Sequence, residues 1–297
     1  MKKIIMTMAV LFGILFNANA QIEKNYIFRC GRGNIGYTEP VEKKQTTGKA
    51  VKNILGTVLE TAAGMNTQVE DHPEYADAVI GAISGGINSA RRINVIDGEF
   101  TPGEVAEGEE ALYFDGNISS IKTTRRISIS KDDKGKTHET TDYKASITAM
   151  INIKKYGTDE IVKTLNINES DYSYAWISTA DGALTNTLSN ISQHIAKILN
   201  NTFPLYASIV EGNYAKKDKQ KEVYIDLGEQ FGAFKGMTFN VYTVKTIAGR
   251  EAKKEIGRLR ITEVMGDDIS LCKVTRGGKE IKESIDNGDT LLITSTN

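Results

Sequence analysis

Two runs of basic side chains in the last third of the chain are the candidates for a binding surface. Clustered cations attract anionic partners, such as acidic glycans and lipid headgroups. A lysine-rich hairpin tip that only keeps the chain solvated is the alternative interpretation. The residues are Lys216, Lys217, Lys219 and Lys221 in the first run, and Lys253, Lys254, Arg258 and Arg260 in the second.

Side chains suited to catalysis or metal binding are scarce. The three histidines, His72, His138 and His194, are far apart in sequence, and no two of them have the spacing of zinc ligands. The two cysteines form no C-x-x-C pair, and no serine stands in a G-x-S-x-G sequence. We therefore expect no catalytic residue, no metal and no cofactor. One alternative stays open, a hydrolase whose site is assembled from distant residues.

One glycine-rich string, residues 31–36, has the G-x-G-x-x-G spacing of a dinucleotide-binding loop. In a true dinucleotide site this string opens a helix whose N-terminus holds the pyrophosphate. The residues that follow, up to Pro40, cannot continue a helix immediately. The string therefore predicts a turn without a cofactor.

A group of glutamates could hold calcium or act as paired carboxylates. No D-x-D-x-D-G calcium loop is present, so a solvated loop is the favoured interpretation. The residues are Glu99, Glu104, Glu107, Glu109 and Glu110.

The first twenty residues have the three parts of a secretory signal peptide. Lys2 and Lys3 give a positive start, residues 4–16 form an apolar run, and residues 18–20 have the small-x-small pattern of a cleavage site. The run is shorter than the ~20 apolar residues that span a bilayer, and no cysteine stands at the cleavage point to carry a lipid. We expect a protein exported to the periplasm, with at most peripheral contact to the outer membrane.

Composition narrows the partner classes. Lysine and arginine together number 37 against 38 acidic residues, so a dedicated nucleic-acid-binding protein is not expected.

Cys30 and Cys272 lie near opposite ends of the chain. In an oxidising compartment a single disulfide between them stays an alternative. The favoured interpretation is two small buried thiols in separate domains.

The elements that must position these residues change in type along the chain. Up to Phe203, helical stripes mix with strand patterns, and a long hairpin has its polar tip at residues 131–136. Its return strand, 143–153, has apolar residues at the odd positions, whereas the even positions are polar apart from Met150. Helices are predicted at 49–63, 71–90 and 182–200. Further strands are predicted at 26–29, 92–96, 111–121 and 161–167.

Beyond Pro204 no helical period is visible, and short strands alternate with turn residues. This spacing predicts a small β-barrel, which avoids exposed strand edges. The fold class is therefore α+β. Residues 21–203 are predicted to form an α/β sandwich with helices packed on a mostly antiparallel sheet, and residues 204–297 the small barrel. The strands of the barrel are predicted at 205–210, 222–227, 237–244, 257–264, 269–274 and 290–294.

The order of these elements resembles two known families. Residues 21–203 resemble the CsgG-like family, named for the curli assembly and transport component, and residues 204–297 resemble the C-terminal domain of the flagellar assembly protein FlgT. The first resemblance rests on RINVID at 92–97, ALYFDGNI at 111–118, the long hairpin, and the helix at 184–199 closed by Phe203-Pro204. The second rests on VYIDLG at 223–228, KGMTFNVY at 235–242, GRLRITEV at 257–264 and NGDTLLI at 287–293.

The resemblance implies a non-catalytic accessory protein of the cell envelope that binds an envelope protein or a glycan. A secretion pore of the first family carries a lipid-bearing cysteine and two membrane-spanning hairpins, and the cysteine is absent here. Lys122, Arg125 and Arg126 interrupt the strand that would pair with residues 143–153, so we expect a soluble hairpin. A ring- or pore-forming subunit of the outer membrane stays open as an alternative, and so does a homo-oligomer.

Overall fold

The computed structural model describes residue 25 and residues 27–38, 65–96, 109–168, 176–248 and 250–296. These residues divide into two compact units, 25–205 and 206–295. The class is α+β with strands in the majority, and each unit contains one sheet. The predicted signal peptide, the predicted helix at 49–63 and Glu99, Glu104 and Glu107 lie outside the described residues.

The first unit is built on a six-stranded sheet. Its strand order is β3-β1-β4-β5-β6, and β2 pairs with the distal part of β4. β1 runs parallel to β3 and β4, whereas β2–β4, β4–β5 and β5–β6 are antiparallel. The bounds are β1 Ile27–Tyr37, β2 Met65–Asp71, α1 Ala76–Asn88, β3 Ile93–Ile96, β4 Glu109–Lys131, β5 Thr137–Lys155, β6 Ile161–Asn168 and α2 Ala180–Thr202.

Helices α1 and α2 form where the apolar stripes predicted them. A 3-10 turn at Pro73–Tyr75 leads into α1, and Thr179 caps α2 by accepting a hydrogen bond from the Gly182 amide at 3.1 Å. Their inward side chains belong to one hydrophobic core with β1, β4, β5 and β6. The buried members on the helices include Val79, Ile83, Ile87, Leu184, Ile191, Ile195 and Leu199.

The alternation predicted for residues 143–153 is confirmed in β5. The odd-numbered side chains from Ala145 to Ile153 are buried, whereas Met150 is 50% exposed. The buried face belongs to the core that α2 covers. The apolar face on which the pore alternative depends is therefore occupied by packing within the first unit.

The predicted turn at residues 31–36 is wrong, because these residues form the middle of β1. The strand runs beside β4 from Ile27 to Tyr37, with one register shift between Arg32 and Ile35. A Cβ at Gly33 would lie 2.9 Å from the Phe114 carbonyl oxygen, so this glycine allows close strand packing. The string lies within a strand and does not open a helix, unlike the loop of a dinucleotide site. The expectation that the chain binds no cofactor stays a prediction.

β2 was also not predicted. Its sequence, MNTQVED, is mostly polar and shows no apolar alternation. It is a strand because its backbone pairs antiparallel with the extended part of β4, from Met65 opposite Ser128 to Asp71 opposite Lys122.

The second unit is built on a seven-stranded sheet with the order β7-β13-β10-β11-β12-β9-β8. The two edge strands, β7 and β8, are consecutive in sequence and only Ser208 separates them. One stretch of chain thus forms both edges, which requires the sheet to curl towards closure. The bounds are β7 Tyr206–Ala207, β8 Ile209–Lys216, β9 Lys219–Ile225, β10 Thr238–Ile247, β11 Arg250–Val264, β12 Ser270–Arg276 and β13 Leu291–Thr296.

The second unit also contains a helix that the sequence analysis missed. Helix α3 spans Gly278–Asp286, although no helical period was expected beyond Pro204. Ile281 and Ser284 are its buried residues, and Ile285 follows Ile281 at helical spacing. The segment is amphipathic, but with nine residues that are mostly polar it was predicted as a turn between strands. On the exposed face of α3, two ion pairs join residues four positions apart and stabilise the helix: Lys279–Glu283 and Lys282–Asp286.

Candidate functional site

The eight predicted contact residues all lie in the second unit, but the structure separates them into groups. Lys216 ends β8, Lys217 occupies the turn with φ of 58°, and Lys219 and Lys221 lie on β9. The second run lies on β11. Lys221 is half-buried and the other seven are exposed: Lys216, Lys217, Lys219, Lys253, Lys254, Arg258 and Arg260.

A cavity of about 420 Å³ lies at the start of α3, and we call it the basic cavity. β9 contributes Lys219 and Lys221, β12 contributes Arg276, and the first turn of α3 contributes Lys279 and Glu280. Four cationic side chains thus line one concavity with a single carboxylate. Two of the four come from the predicted first run.

Two consecutive glycines determine how close α3 lies to the strands. Gly277 has φ of +74°, and a Cβ there would stand 1.8 Å from the Ile256 carbonyl oxygen. A Cβ on Gly278 would stand 2.7 Å from the Gln220 carbonyl oxygen. Only glycine permits this approach without displacing the backbone of β9 or β11. The glycine pair therefore places Lys279 beside the lysines of β9.

Arg276 and Lys279 were missed by the sequence analysis. They lie more than fifty residues from Lys219 and join it only through β9–β12 pairing and the seating of α3. The signal that could have found them is the string Arg-Gly-Gly-Lys at 276–279, in which a glycine pair separates two basic residues. Arg276 also donates to Glu255 across an exposed ion pair, which uses one of its five N–H donors.

A second cavity, of about 390 Å³, lies along α3, and we call it the mixed cavity. It contains Lys253 and Lys254 from the second predicted run, together with Lys245. Three carboxylates line the same space and balance these charges: Glu280, Glu283 and Asp289.

The remaining predicted residues do not line either cavity. The Arg258 side chain donates to Asn240 Oδ1 at 3.0 Å, and Arg260 lies further along β11. Lys216 lies directly opposite Lys219 in the β8–β9 hairpin and Lys217 occupies its turn, but neither lines the cavity. The structure therefore brings Lys219 and Lys221 together with new partners, keeps Lys216 and Lys217 next to them, and places the four residues of the second run outside the basic cavity.

One histidine takes part in an arrangement that resembles a catalytic triad. His72 Nδ1 lies 2.9 Å from Glu74 Oε1, and His72 Nε2 lies 2.7 Å from Thr123 Oγ1. The hydrogen bond to His72 lowers the pKa of the Glu74 carboxyl. Thr123 is only 1% exposed, so its hydroxyl has no room to attack a substrate carbonyl. The arrangement instead ties the 3-10 turn at Pro73–Tyr75 to β4.

The other histidines have separate environments. His138 lies 3.0 Å from Asp132 at the tip of the long hairpin, and His194 is half-buried on α2. Among the described residues, no three or more His, Cys, Asp or Glu side chains are grouped in a way that could hold a metal ion. The expectation that the whole chain binds no metal stays a prediction.

Both cysteines are buried and carry free thiols. Cys30 lies in β1 of the first unit and Cys272 in β12 of the second. Desolvation by burial raises the pKa of each thiol to about 12. The favoured interpretation of two separate buried thiols is confirmed.

In the part of the chain that the structure describes, no helix combines the length and the apolar character needed to cross a bilayer.

Comparison with known proteins identifies no family. No protein-family model matches the chain, and no curated protein matches it. Among solved structures, a neuraminyllactose-binding hemagglutinin homolog from Helicobacter pylori is similar at 12% identity, with 60% of this chain and 85% of that chain covered. The TM-score of that match is 0.26, too low to show a common fold. The resemblances to the CsgG-like family and to FlgT stay predictions.

Proposed function

We propose that this protein is a non-catalytic accessory protein of the cell envelope that binds an anionic partner through a basic face of its second unit. This basic face consists of Lys216, Lys217, Lys219, Lys221, Arg276 and Lys279. The observation that supports this most is the basic cavity, where Lys219, Lys221, Arg276 and Lys279 converge with one carboxylate. A concave site with an excess of one charge concentrates ligands of the opposite charge. The partner is an anionic glycan or an envelope protein that carries such a group.

The cellular location belongs to the same proposal. The predicted signal peptide at residues 1–20 would export the chain to the periplasm, where anionic glycans and lipid headgroups are the available partners. Peripheral association with the outer membrane would follow from the same basic face. The proposed relation to curli-type assembly components rests on the resemblance alone.

The two rival functions find less support. The ring- or pore-forming alternative depends on the apolar face of residues 143–153, and that face packs in the core of the first unit. The hydrolase alternative has the Glu74–His72–Thr123 arrangement, but the hydroxyl of Thr123 is buried.

A charge-removal experiment tests the proposal. In the variant Lys216→Gln/Lys217→Gln/Lys219→Gln/Lys221→Gln, the first run loses four positive charges. We expect its affinity for purified sacculi or lipopolysaccharide to fall roughly tenfold or more, since charge-assisted contacts contribute about 1.5–3 kcal/mol each. Co-sedimentation with a protein concentration series measures the change.

A matched control removes the same charge from exposed positions away from both cavities. These positions are Lys134, Lys136, Lys235 and Lys273, each replaced by Gln. The control variant should bind as the wild type does. Unchanged affinity in the first variant, or equal loss in both, rejects a specific role for the basic run.

A further inference from the structure

We propose that the basic cavity binds a phosphoryl group of the partner, held by Lys219, Lys221, Arg276 and Lys279. This inference deepens the proposed function, on which it rests, because it assigns a ligand chemistry to the anionic partner. It also adds Arg276 and Lys279, which the sequence did not indicate, to the binding residues.

The charge in the cavity exceeds what a carboxylate would neutralise. Glu280 is the one carboxylate among the described lining residues. Two carboxylates outside the lining compensate part of the charge through exposed ion pairs, Glu255 with Arg276 and Glu283 with Lys279 at 3.8 Å. Lys219 and Lys221 therefore supply the positive charge in excess. A phosphate monoester carries about −1.5 to −2 at pH 7 and offers three strong acceptor oxygens. A carboxylate carries one charge and two oxygens. The phosphoryl group therefore matches the remaining cations better.

The donors in the cavity also suit a group with several acceptor oxygens. Lys219 on β9 and Lys279 on α3 are exposed and both line the cavity, so two different elements supply its ammonium groups. Each lysine has three donors, and the Arg276 guanidinium keeps donors beyond the one that it gives to Glu255. Tetrahedral oxygens can accept from several walls at once, which a planar carboxylate does less well.

The first amides of α3 carry no side-chain cap. Gly277 occupies the N-cap position and has no side-chain oxygen to accept from these amides, and both Gly277 and Gly278 line the cavity. A volume of about 420 Å³ falls within the ~300–1,000 Å³ typical of small-molecule sites. The space thus exceeds one phosphoryl group and can admit part of the sugar or glycerol to which it is bonded.

The mixed cavity provides an internal comparison. It has almost the same volume, about 390 Å³, and it also contains lysines. Its cations are balanced by Glu280, Glu283 and Asp289, so no net charge is left for a dianion. A variant that removes Lys253 and Lys254 therefore serves as a control of equal charge and similar location.

The test uses the full chain and small probes of defined chemistry. Inorganic phosphate, glycerol 3-phosphate and acetate are titrated at constant ionic strength, and amide shifts of Gly278 and Lys279 are followed by NMR. We expect saturable shifts with both phosphates and binding of acetate weaker by roughly tenfold. Lys219→Gln/Lys279→Gln should weaken phosphate binding roughly tenfold or more, while Lys253→Gln/Lys254→Gln stays within about twofold of wild type.

A second arm identifies the source of the phosphoryl group. Vesicles that contain phosphatidic acid present it on a lipid, whereas glycerol 3-phosphate presents it free. Binding to the vesicles that the Lys219→Gln/Lys279→Gln variant loses indicates a lipid source. Binding to the soluble ester alone indicates a phosphorylated glycan or small molecule. Either result supports the inference.

Other results overturn it. The inference fails if phosphate gives no saturable shift, if acetate binds as well as phosphate, or if the Lys219→Gln/Lys279→Gln variant binds like wild type with an unchanged circular dichroism spectrum. A Lys219→Arg/Lys279→Arg variant should retain binding, because it keeps the charge. If phosphate fails but binding to sacculi or lipopolysaccharide still depends on the first basic run, the proposed function stands without this inference. If both bindings are absent, both fail.

Discussion

Gly277 and Gly278 are the residues on which the geometry of the basic cavity depends most. Their lack of a Cβ lets the start of α3 approach the carbonyl oxygens of Ile256 and Gln220. Gly277 is required for two reasons: its φ of +74° is a left-handed conformation, and a Cβ there would collide with the Ile256 carbonyl oxygen. At Gly232, by contrast, φ is +69° and no atom lies within 4 Å of an added Cβ.

This contrast predicts different costs for the same substitution. Gly232→Ala should lower the free energy of unfolding by about 1–2 kcal/mol, the usual cost of a left-handed conformation. Gly277→Ala should cost a further ~1–3 kcal/mol, because the backbone of β11 must move to make room. Urea denaturation of the two variants measures the difference. Equal costs would contradict the close packing of α3 on β11.

The buried thiols give a second prediction at this scale. Because burial raises the pKa of Cys30 and Cys272 to about 12, the neutral thiol is the favoured form in the folded protein. Their contribution to stability is fully present below the unfolded pKa of about 8.5 and is lost as pH rises towards 12. We expect almost no reaction with a thiol reagent at pH 8 in the native state, and two reactive thiols in unreduced, denatured protein. No thiol after denaturation would show a disulfide instead.

At the scale of elements, the contact between α1 and α2 explains one of the three glycines in α1, Gly86. A Cβ at Gly86 would lie 2.7 Å from the Ser192 carbonyl oxygen, and one at Gly81 would contact nothing within 4 Å. Gly86 therefore permits the helices to pack closely, whereas Gly81 lowers the helix propensity and permits no close contact.

The long hairpin is held together by backbone pairing. β4 pairs with β5 at nineteen residue positions, with one register shift near Ser119.

The two glycines should respond to alanine in opposite directions. Gly81→Ala should stabilise the protein by about 0.5–1 kcal/mol, because alanine has the higher helix propensity. Gly86→Ala should destabilise it by about 1–3 kcal/mol through overpacking against α2. Thermal denaturation followed at 222 nm measures both. Stabilisation by both variants would contradict the close approach of α1 and α2.

At the scale of the whole molecule, sequence reasoning succeeded where a repeating pattern reports burial. The alternation in β5 and the stripes of α1 and α2 are such patterns, and the structure confirms them. Sequence reasoning failed where the role of a residue depends on a contact with a residue that is distant in sequence. The close packing at Gly33 depends on Phe114 on β4, and Arg276 reaches Lys219 only through the pairing of β12 with β9. Neither relation is visible within a local stretch of sequence. Helix α3 was missed for another reason, because it is short and mostly polar.

The central claim, that the basic face of the second unit binds an anionic envelope partner, is tested most directly by the salt dependence of binding to lipopolysaccharide. Binding of wild type and of the variant lacking the lysines at 216, 217, 219 and 221 is measured between 50 and 300 mM sodium chloride. We predict that affinity of the wild type falls steeply with salt, and that the variant is weaker and less sensitive to salt, because fewer ion contacts remain to be screened. The same affinity and the same salt dependence for both proteins would contradict the account.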